Sequence, residues 1–147
     1  MSLVSVKQVV SSLLNTSVPN HKLDLALLMY RLLISLSLLN THGIKKIMNY
    51  KEEVLHIPDP FGLGGELSTL FAIFANIVCP VFVIFGLFTR LAIIPILAIT
   101  LSGLLLVHYA DPWSVKDVPL MYSLAFLLLF YLGSGKHSID ARLTQKR

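Results

Sequence analysis

One stretch of the sequence carries polar side chains at a spacing that places them on one side of a helix. Asp24, Arg31, Ser35 and His42 are separated by seven, four and seven residues. An α-helix turns about 100° per residue, so these side chains form one stripe along its length. Arginine keeps its charge in proteins, and a guanidinium within an apolar segment needs an acceptor or a water-filled cavity. The stripe therefore predicts a functional site centred on Arg31.

Polar residues in the other apolar segments are candidate partners for Arg31. Asn76 offers an amide oxygen at a comparable predicted depth, and Tyr122 offers a hydroxyl. Buried polar groups are hydrogen-bonded whatever the function of a protein. A satisfied network without any ligand is therefore an alternative to a binding site.

Two histidines are expected to approach each other below one membrane surface. His42 ends the polar stripe, His108 follows a later apolar segment, and Asp111 stands three residues beyond His108, where it can orient the imidazole. Such histidines relay protons or ligate metals. The sequence contains no His-x-x-His and no cysteine pair, so no metal site is predicted.

The composition is that of a membrane protein. The 147 residues are 55% hydrophobic and 14% charged, with a mean hydropathy of +0.76. The formal charge is +4, but the basic residues lie in short loops and at the ends rather than on a stripe, which argues against a nucleic-acid partner and for membrane lipids. A single cysteine, Cys79, excludes an intramolecular disulfide.

The elements that must position these residues are helices. The pattern predicts a single all-α domain over residues 1–147, a polytopic membrane four-helix bundle with an N-terminal interfacial amphipathic helix. Gly43 is predicted to end the first span in a left-handed conformation, and Asp117 to cap the fourth. The predicted segments are an interfacial helix at about 2–15, spans at about 23–42, 66–88, 91–108 and 118–133, a short surface helix near 51–56, and a polar tail over 134–147.

Four spans place both ends of the chain on one side of the membrane. The ends and the second loop carry seven lysines and arginines, whereas the first and third loops carry four. The side with more lysine and arginine faces the cytoplasm. Both termini are therefore predicted to be cytoplasmic, with His42 and His108 towards the outer face.

Several motifs follow one another in order along the chain, namely Arg31, His42-Gly43 with Lys45-Lys46, Pro58-Asp59-Pro60 with Gly62-Leu63-Gly64, Gly86-Leu87-Phe88-Thr89-Arg90-Leu91-Ala92, His108 with Asp111-Pro112, and Gly133-Ser134-Gly135-Lys136-His137-Ser138-Ile139-Asp140. Together they resemble the DoxX family of small four-helix membrane proteins, and most of all the form found in Bacteroidetes-type bacteria. One departure concerns Arg31, because the family pattern usually has a glutamate where this chain has Asn76. Arg31 would then be free for an anionic or carbonyl-bearing ligand.

The resemblance implies a role in membrane redox metabolism. Relatives are associated with quinone-linked oxidases and with quinone stress, which implies the bacterial cytoplasmic membrane and a quinone as the candidate ligand. Arg31 would donate to one quinone carbonyl, and His42 or His108 would bind the other end or move a proton. Because the electrons must come from another protein, an accessory subunit of a larger membrane complex, or a homo-oligomer, is expected. Whether the chain is itself an enzyme is left open.

Two other functions fit the same sequence. One is a non-catalytic scaffold that anchors or assembles a membrane complex. The other is a small transporter or cargo receptor with Arg31 as the site for a substrate anion.

Overall fold

The computed structural model describes residues 20–144. Four of its helices are long and apolar enough to cross a membrane, and the described residues contain no strand, so the predicted all-α polytopic fold is confirmed. The predicted interfacial helix lies outside the described residues. The helices are α1 (Asn20–Met48), α2 (Tyr50–His56), α3 (Gly65–Phe85), α4 (Thr89–Val107), α5 (Trp113–Leu132) and α6 (Ile139–Thr144), where α1, α3, α4 and α5 are the four long ones.

The bundle is held by a small apolar core, while most of its large apolar side chains face outwards. α1 packs against α3 and α5, and α4 packs between α3 and α5. Leucines and phenylalanines are exposed on all four long helices, as expected for apolar side chains that contact lipid. Helices suit this environment because their backbone N–H and C=O groups bond to one another within the helix. The core consists of Leu38, Cys79, Val83, Ala92, Ile93, Ile96, Phe126 and Leu129.

Three of the long helices contain one π-helical turn each. The turns are Leu39–Gly43 in α1, Phe74–Val78 in α3 and Gly103–Val107 in α4. Pro80 follows the π turn of α3 and has no N–H to donate to the carbonyl of Asn76, which favours a local departure from the α-helical pattern there. Isolated π turns occur frequently at functional sites. The side chains of these three turns are therefore candidates for a functional site.

Gly43 does not end the first span, and that prediction is wrong. Its φ of −72° is helical, and α1 continues to Met48. A Cβ atom at this position would lie 2.6 Å from the carbonyl oxygen of Asn76. The glycine is needed because α1 and α3 approach closely here.

The last span begins earlier than predicted. α5 starts at Trp113 after Pro112, so Asp117 lies within the helix, and no side-chain bond caps its first turn. The amides of Val115 and Lys116 bond instead to the carbonyl of Pro112. The predicted surface helix near 51–56 is confirmed as α2.

Candidate functional site

The polar residues of the stripe lie at different depths in the bundle. A Cβ at Gly86 would lie 2.7 Å from Nη1 of Arg31, so Arg31 is level with the end of α3. Gly43 lies instead beside Asn76, near the middle of α3. Twelve residues separate Arg31 from Gly43, roughly 18 Å along a helix. Asn76 is therefore not at the depth of Arg31, contrary to the prediction, and its Nδ2 donates to the carbonyl of Ala72 at 2.8 Å.

Arg31 is bound by the main chain of the C-terminal tail. The side chain is 1% exposed. Nη1 donates to the carbonyl of Ser134, and Nη2 donates to the carbonyl of His137 at 2.7 Å. The charge of Asp140 also acts on the guanidinium. Carbonyl oxygens and a nearby carboxylate thus compensate the charge. We call the group Arg31, Gly86, Ser134, His137 and Asp140 the anchor site.

Asp140 ties the tail to the start of α4. Its carboxylate accepts from the amides of Phe88 and Thr89 at 2.8 and 3.0 Å and from the Thr89 hydroxyl at 2.8 Å. Its own amide donates to the carbonyl of Gly86 at 2.9 Å. Phe88 has a φ of 48°, a left-handed conformation that is unusual for a phenylalanine, and its amide bond to Asp140 helps to hold it.

The tail also contacts the first turns of α1, because Lys136 pairs with Asp24 at 3.2 Å. The Lys136 side chain is 65% exposed, so we expect this pair to contribute little to stability. Asp24 therefore belongs with the tail. Ser35 is fully buried, and its hydroxyl has no hydrogen-bond partner among residues 20–144.

Acid is expected to release the tail. Burial raises the pKa of Asp140, but the hydrogen bonds from Thr89 and Phe88 outweigh burial and hold this pKa below its usual value. A lowered carboxyl pKa contributes stability above the unfolded value, near about 3.9, and this contribution is lost as the pH falls further. Pepsin cleavage within residues 133–144 should therefore increase below about pH 4.

Two variants test this prediction. Asp140→Asn keeps one acceptor oxygen but replaces the other with an NH₂ group, which cannot accept from the amides of Phe88 and Thr89. The tail should then be held less firmly, and a neutral protease should already cleave it at neutral pH. The matched control is Asp117→Asn, a change at an exposed position on α5, which should leave the acid profile unchanged. An acid profile that is identical in all three proteins would contradict the role of Asp140.

A second polar site lies around the π turns. It is a cavity of about 200 Å³ that brings together four of the predicted site residues, His42, Asn76, His108 and Tyr122. Arg31, Ser35 and Asp111 do not line it. We call it the histidine cavity; its lining is completed by Leu38, Lys46, Ile99, Thr100, Gly103, Val118 and Pro119.

One ring nitrogen of His42 has no hydrogen-bond partner among residues 20–144. Its ring meets the ring of Tyr122 edge-on, with centroids 5.5 Å apart and planes at 85°. The Tyr122 hydroxyl bonds to the hydroxyl of Ser37 at 2.8 Å. The buried Nε2 of His42 has no hydrogen-bond partner in the described part of the chain. A buried polar atom without a partner costs about 1–3 kcal/mol, so it requires an explanation.

His108 is oriented by Asp111, as the spacing predicts. Nδ1 of His108 lies 2.7 Å from Oδ2 of Asp111. A carboxylate at Nδ1 favours a proton on that nitrogen, which leaves Nε2 of a neutral ring as an acceptor. His108 lies on the wall of the histidine cavity and also of a second one.

This adjoining cavity has a volume of about 170 Å³ and shares Lys46, Ile99, Gly103 and His108 with the first. The loop Ile57–Leu63 forms much of its other wall. Together the two volumes reach the lower end of the range of about 300–1,000 Å³ typical of small-molecule sites. We call the adjoining cavity the portal.

Asp59 fixes the portal loop. It accepts hydrogen bonds from the amides of Leu63 and Gly64 at 2.9 and 2.7 Å and from the hydroxyl of Ser68 at 2.9 Å. These bonds, those from Leu63 and Gly64 first, hold the pKa of Asp59 below its usual value. The carboxylate thus links the loop to the start of α3 across the working pH range.

Sequence reasoning missed several residues of both sites. Lys46 and Thr100 line the histidine cavity, but neither was predicted as a site residue. Ser134 and His137 act through their main-chain carbonyls, which leave no mark in a sequence. Pro80, four residues after Asn76, does predict from sequence a disturbed helix in this region. Within residues 20–144, no group of three His, Cys, Asp or Glu side chains is arranged to hold a metal ion.

Comparison with known proteins identifies the family. The family model named DoxX matches residues 26–109, which is more than half of the chain. The match includes Arg31 and the histidine cavity up to His108, and it ends before the tail that binds Arg31. No curated protein and no solved structure matches the chain. This chain is therefore a member of the DoxX family and a multi-pass membrane protein.

Proposed function

We propose that the protein binds a small, lipid-soluble, carbonyl-bearing aromatic compound in the histidine cavity, and that this compound is a quinone. Two observations carry the proposal: His42 lines the histidine cavity, and its buried Nε2 has no hydrogen-bond partner in residues 20–144. A ligand carbonyl would accept a hydrogen bond from this nitrogen, and the edge of Tyr122 would pack against the ligand ring.

The depth of the cavity supports a ligand that arrives from the lipid. Asn76 lies halfway along α3, so the cavity reaches the apolar zone of the bundle, whereas the portal lies beside the loop Ile57–Leu63. A planar ring with one carbonyl at His42 would direct its opposite edge towards His108. The pair His108–Asp111 would exchange a proton with that edge.

Arg31 receives a structural role in this proposal. Its two terminal nitrogens are occupied by carbonyls of the tail, so we transfer the expected carbonyl-binding role from Arg31 to His42. Nε of Arg31 is also buried without a partner among residues 20–144, but carbonyls of the tail already hold both terminal nitrogens, so a transporter with Arg31 as its anion site is the weaker alternative. Electron transfer is assigned to a separate redox protein, which makes this chain an accessory subunit of a membrane complex.

The proposed location is the bacterial cytoplasmic membrane with both termini in the cytoplasm, following the distribution of lysine and arginine. The histidine cavity and the portal would then open in the outer half of the membrane.

The test compares quinone binding by three proteins purified in mild detergent. The wild-type chain should bind a decyl-substituted benzoquinone, and His42→Leu should weaken its Kd by about 10-fold, the equivalent of one hydrogen bond of about 1.4 kcal/mol. The matched control is His56→Leu on α2, an exposed histidine whose ring bonds to the carbonyl of Glu52, and its Kd should equal that of the wild type.

The same samples, extracted with organic solvent and analysed by mass spectrometry, identify the native ligand. We expect co-purified quinone with the wild type and with His56→Leu, and a clear loss with His42→Leu. If the wild-type protein neither co-purifies with a quinone nor binds the added one, the proposal is contradicted and the scaffold function is favoured.

A further inference from the structure

Lys46 contributes a positive charge to both cavities. It is the only lysine or arginine that lines either the histidine cavity or the portal within residues 20–144. Its ammonium lies 2.7 Å from Oε2 of Glu53 on α2, and the two side chains are 19% and 27% exposed. The charges of Lys46 and Lys45 both act at His42. A lysine in this position serves as a point charge for an anion.

We propose, on the basis of the proposed function, that the site selects ring compounds with an ionised hydroxyl, such as hydroxyquinones, and that Lys46 determines this specificity. A neutral quinone needs only the hydrogen bond at His42. An adjacent ring oxygen that carries a negative charge would be attracted to the ammonium of Lys46, in surroundings less polar than water. Lys46 is a lining residue of both the histidine cavity and the portal, so its charge is within reach of a ligand that occupies either volume.

Glu53 is the group that an anionic ligand would displace or share. Both side chains of its pair with Lys46 are mostly buried, so separating the pair would be costly, and an anionic ligand is expected to share the ammonium with Glu53. The carboxylate of Asp111 also carries negative charge near the portal, but it is 47% exposed and paired with His108. The attraction from Lys46 should therefore outweigh the repulsion from these carboxylates once a ligand oxygen reaches the ammonium.

The test uses two probes of nearly the same shape at neutral pH, 2-hydroxy-1,4-naphthoquinone, which is an anion, and 2-methoxy-1,4-naphthoquinone, which is neutral. In the full-length wild-type protein we expect the anion to bind about 10-fold more tightly. Lys46→Met should reduce this preference to about one or below, because the anion loses the ammonium and meets the unpaired carboxylate of Glu53, whereas the uncharged methoxy probe should lose less affinity. Glu53→Gln should increase the preference, because the competing carboxylate is removed.

Lys45→Met is the matched control. Lys45 is exposed and lines neither cavity, so this change should keep most of the preference for the anion. Equal binding of both probes by the wild type, or an unchanged preference in Lys46→Met, would overturn the role of Lys46 and leave quinone binding intact. Binding of neither probe to the wild type would overturn the proposed function, and the selectivity with it.

Discussion

Replacing Arg31 with leucine is expected to lower the free energy of unfolding by about 3–5 kcal/mol, since hydrogen bonds to a charged group contribute about 1.5–3 kcal/mol each. The change removes the donors to Ser134 and His137 and leaves both carbonyls without them. It also leaves Asp140 without the positive charge that faces it. The tail over residues 133–144 should then detach from the bundle.

The matched control for this change is Arg90→Leu. Arg90 also donates to two carbonyls, those of Phe130 at 3.1 Å and Tyr131 at 3.4 Å, but its side chain is exposed. Exposed charged contacts contribute about 0–1 kcal/mol, so this variant should unfold nearly like the wild type. Unfolding in mixed micelles of mild detergent and dodecyl sulfate, with protease cleavage of the tail, measures both effects. Equal stability of the two variants would contradict the anchor role of Arg31.

Replacing Gly86 with alanine is expected to disrupt the same site from the opposite side. The new Cβ would lie 2.5 Å from Cβ of Ser138 and 2.7 Å from Nη1 of Arg31. Gly86 also has a φ of 65°, which disfavours residues with a side chain. Overpacking costs about 1–3 kcal/mol and the backbone strain about 1–2 kcal/mol, so the combined loss should exceed about 2 kcal/mol.

Gly62→Ala separates the two causes. Gly62 has a similar φ of 68°, but a Cβ there would meet no atom within 4 Å. This control should lose only the strain, about 1–2 kcal/mol. If Gly86→Ala were no more destabilising than Gly62→Ala in the same unfolding measurement, close packing of the tail against Arg31 would be refuted.

Local patterns in the sequence were sufficient to predict the four long helices and one contact of the site, the pair His108–Asp111. Long apolar runs indicated the four spans, because a bilayer fixes the length of a helix that crosses it. The three-residue spacing of His108 and Asp111 predicted their pairing, and the two side chains lie 2.7 Å apart. Patterns of this kind act over a few residues, which is why they can be read directly.

The hydrogen-bond partners of Arg31 could not be predicted from local sequence patterns. Ser134 and His137 are more than 100 residues away along the chain, and both act through carbonyl groups that every residue possesses. The common stripe of Arg31 and His42 was a correct helical periodicity, but a helix rises about 1.5 Å per residue, so residues on one face still reach different depths. One predicted site therefore becomes two, a structural anchor and a cavity.

The close approach of α1 to α3 was equally hidden. Glycine is common at the ends of helices, so Gly43 was interpreted as a stop. In the bundle it lies against the carbonyl of Asn76, where a larger residue would collide. The distinction depends on the neighbouring helix, and only the tertiary structure reveals it.

Photolabelling with an azido-substituted benzoquinone is the most direct test of the ligand site. The labelled protein, in lipid nanodiscs, is digested and its modified residues are identified by mass spectrometry. The proposal predicts labels on peptides that carry His42, Asn76 or Tyr122, reduced by excess unlabelled quinone and by His42→Leu. Labels confined to Arg31 and residues 133–144, or labels on lipid-facing residues that excess quinone does not reduce, would contradict it.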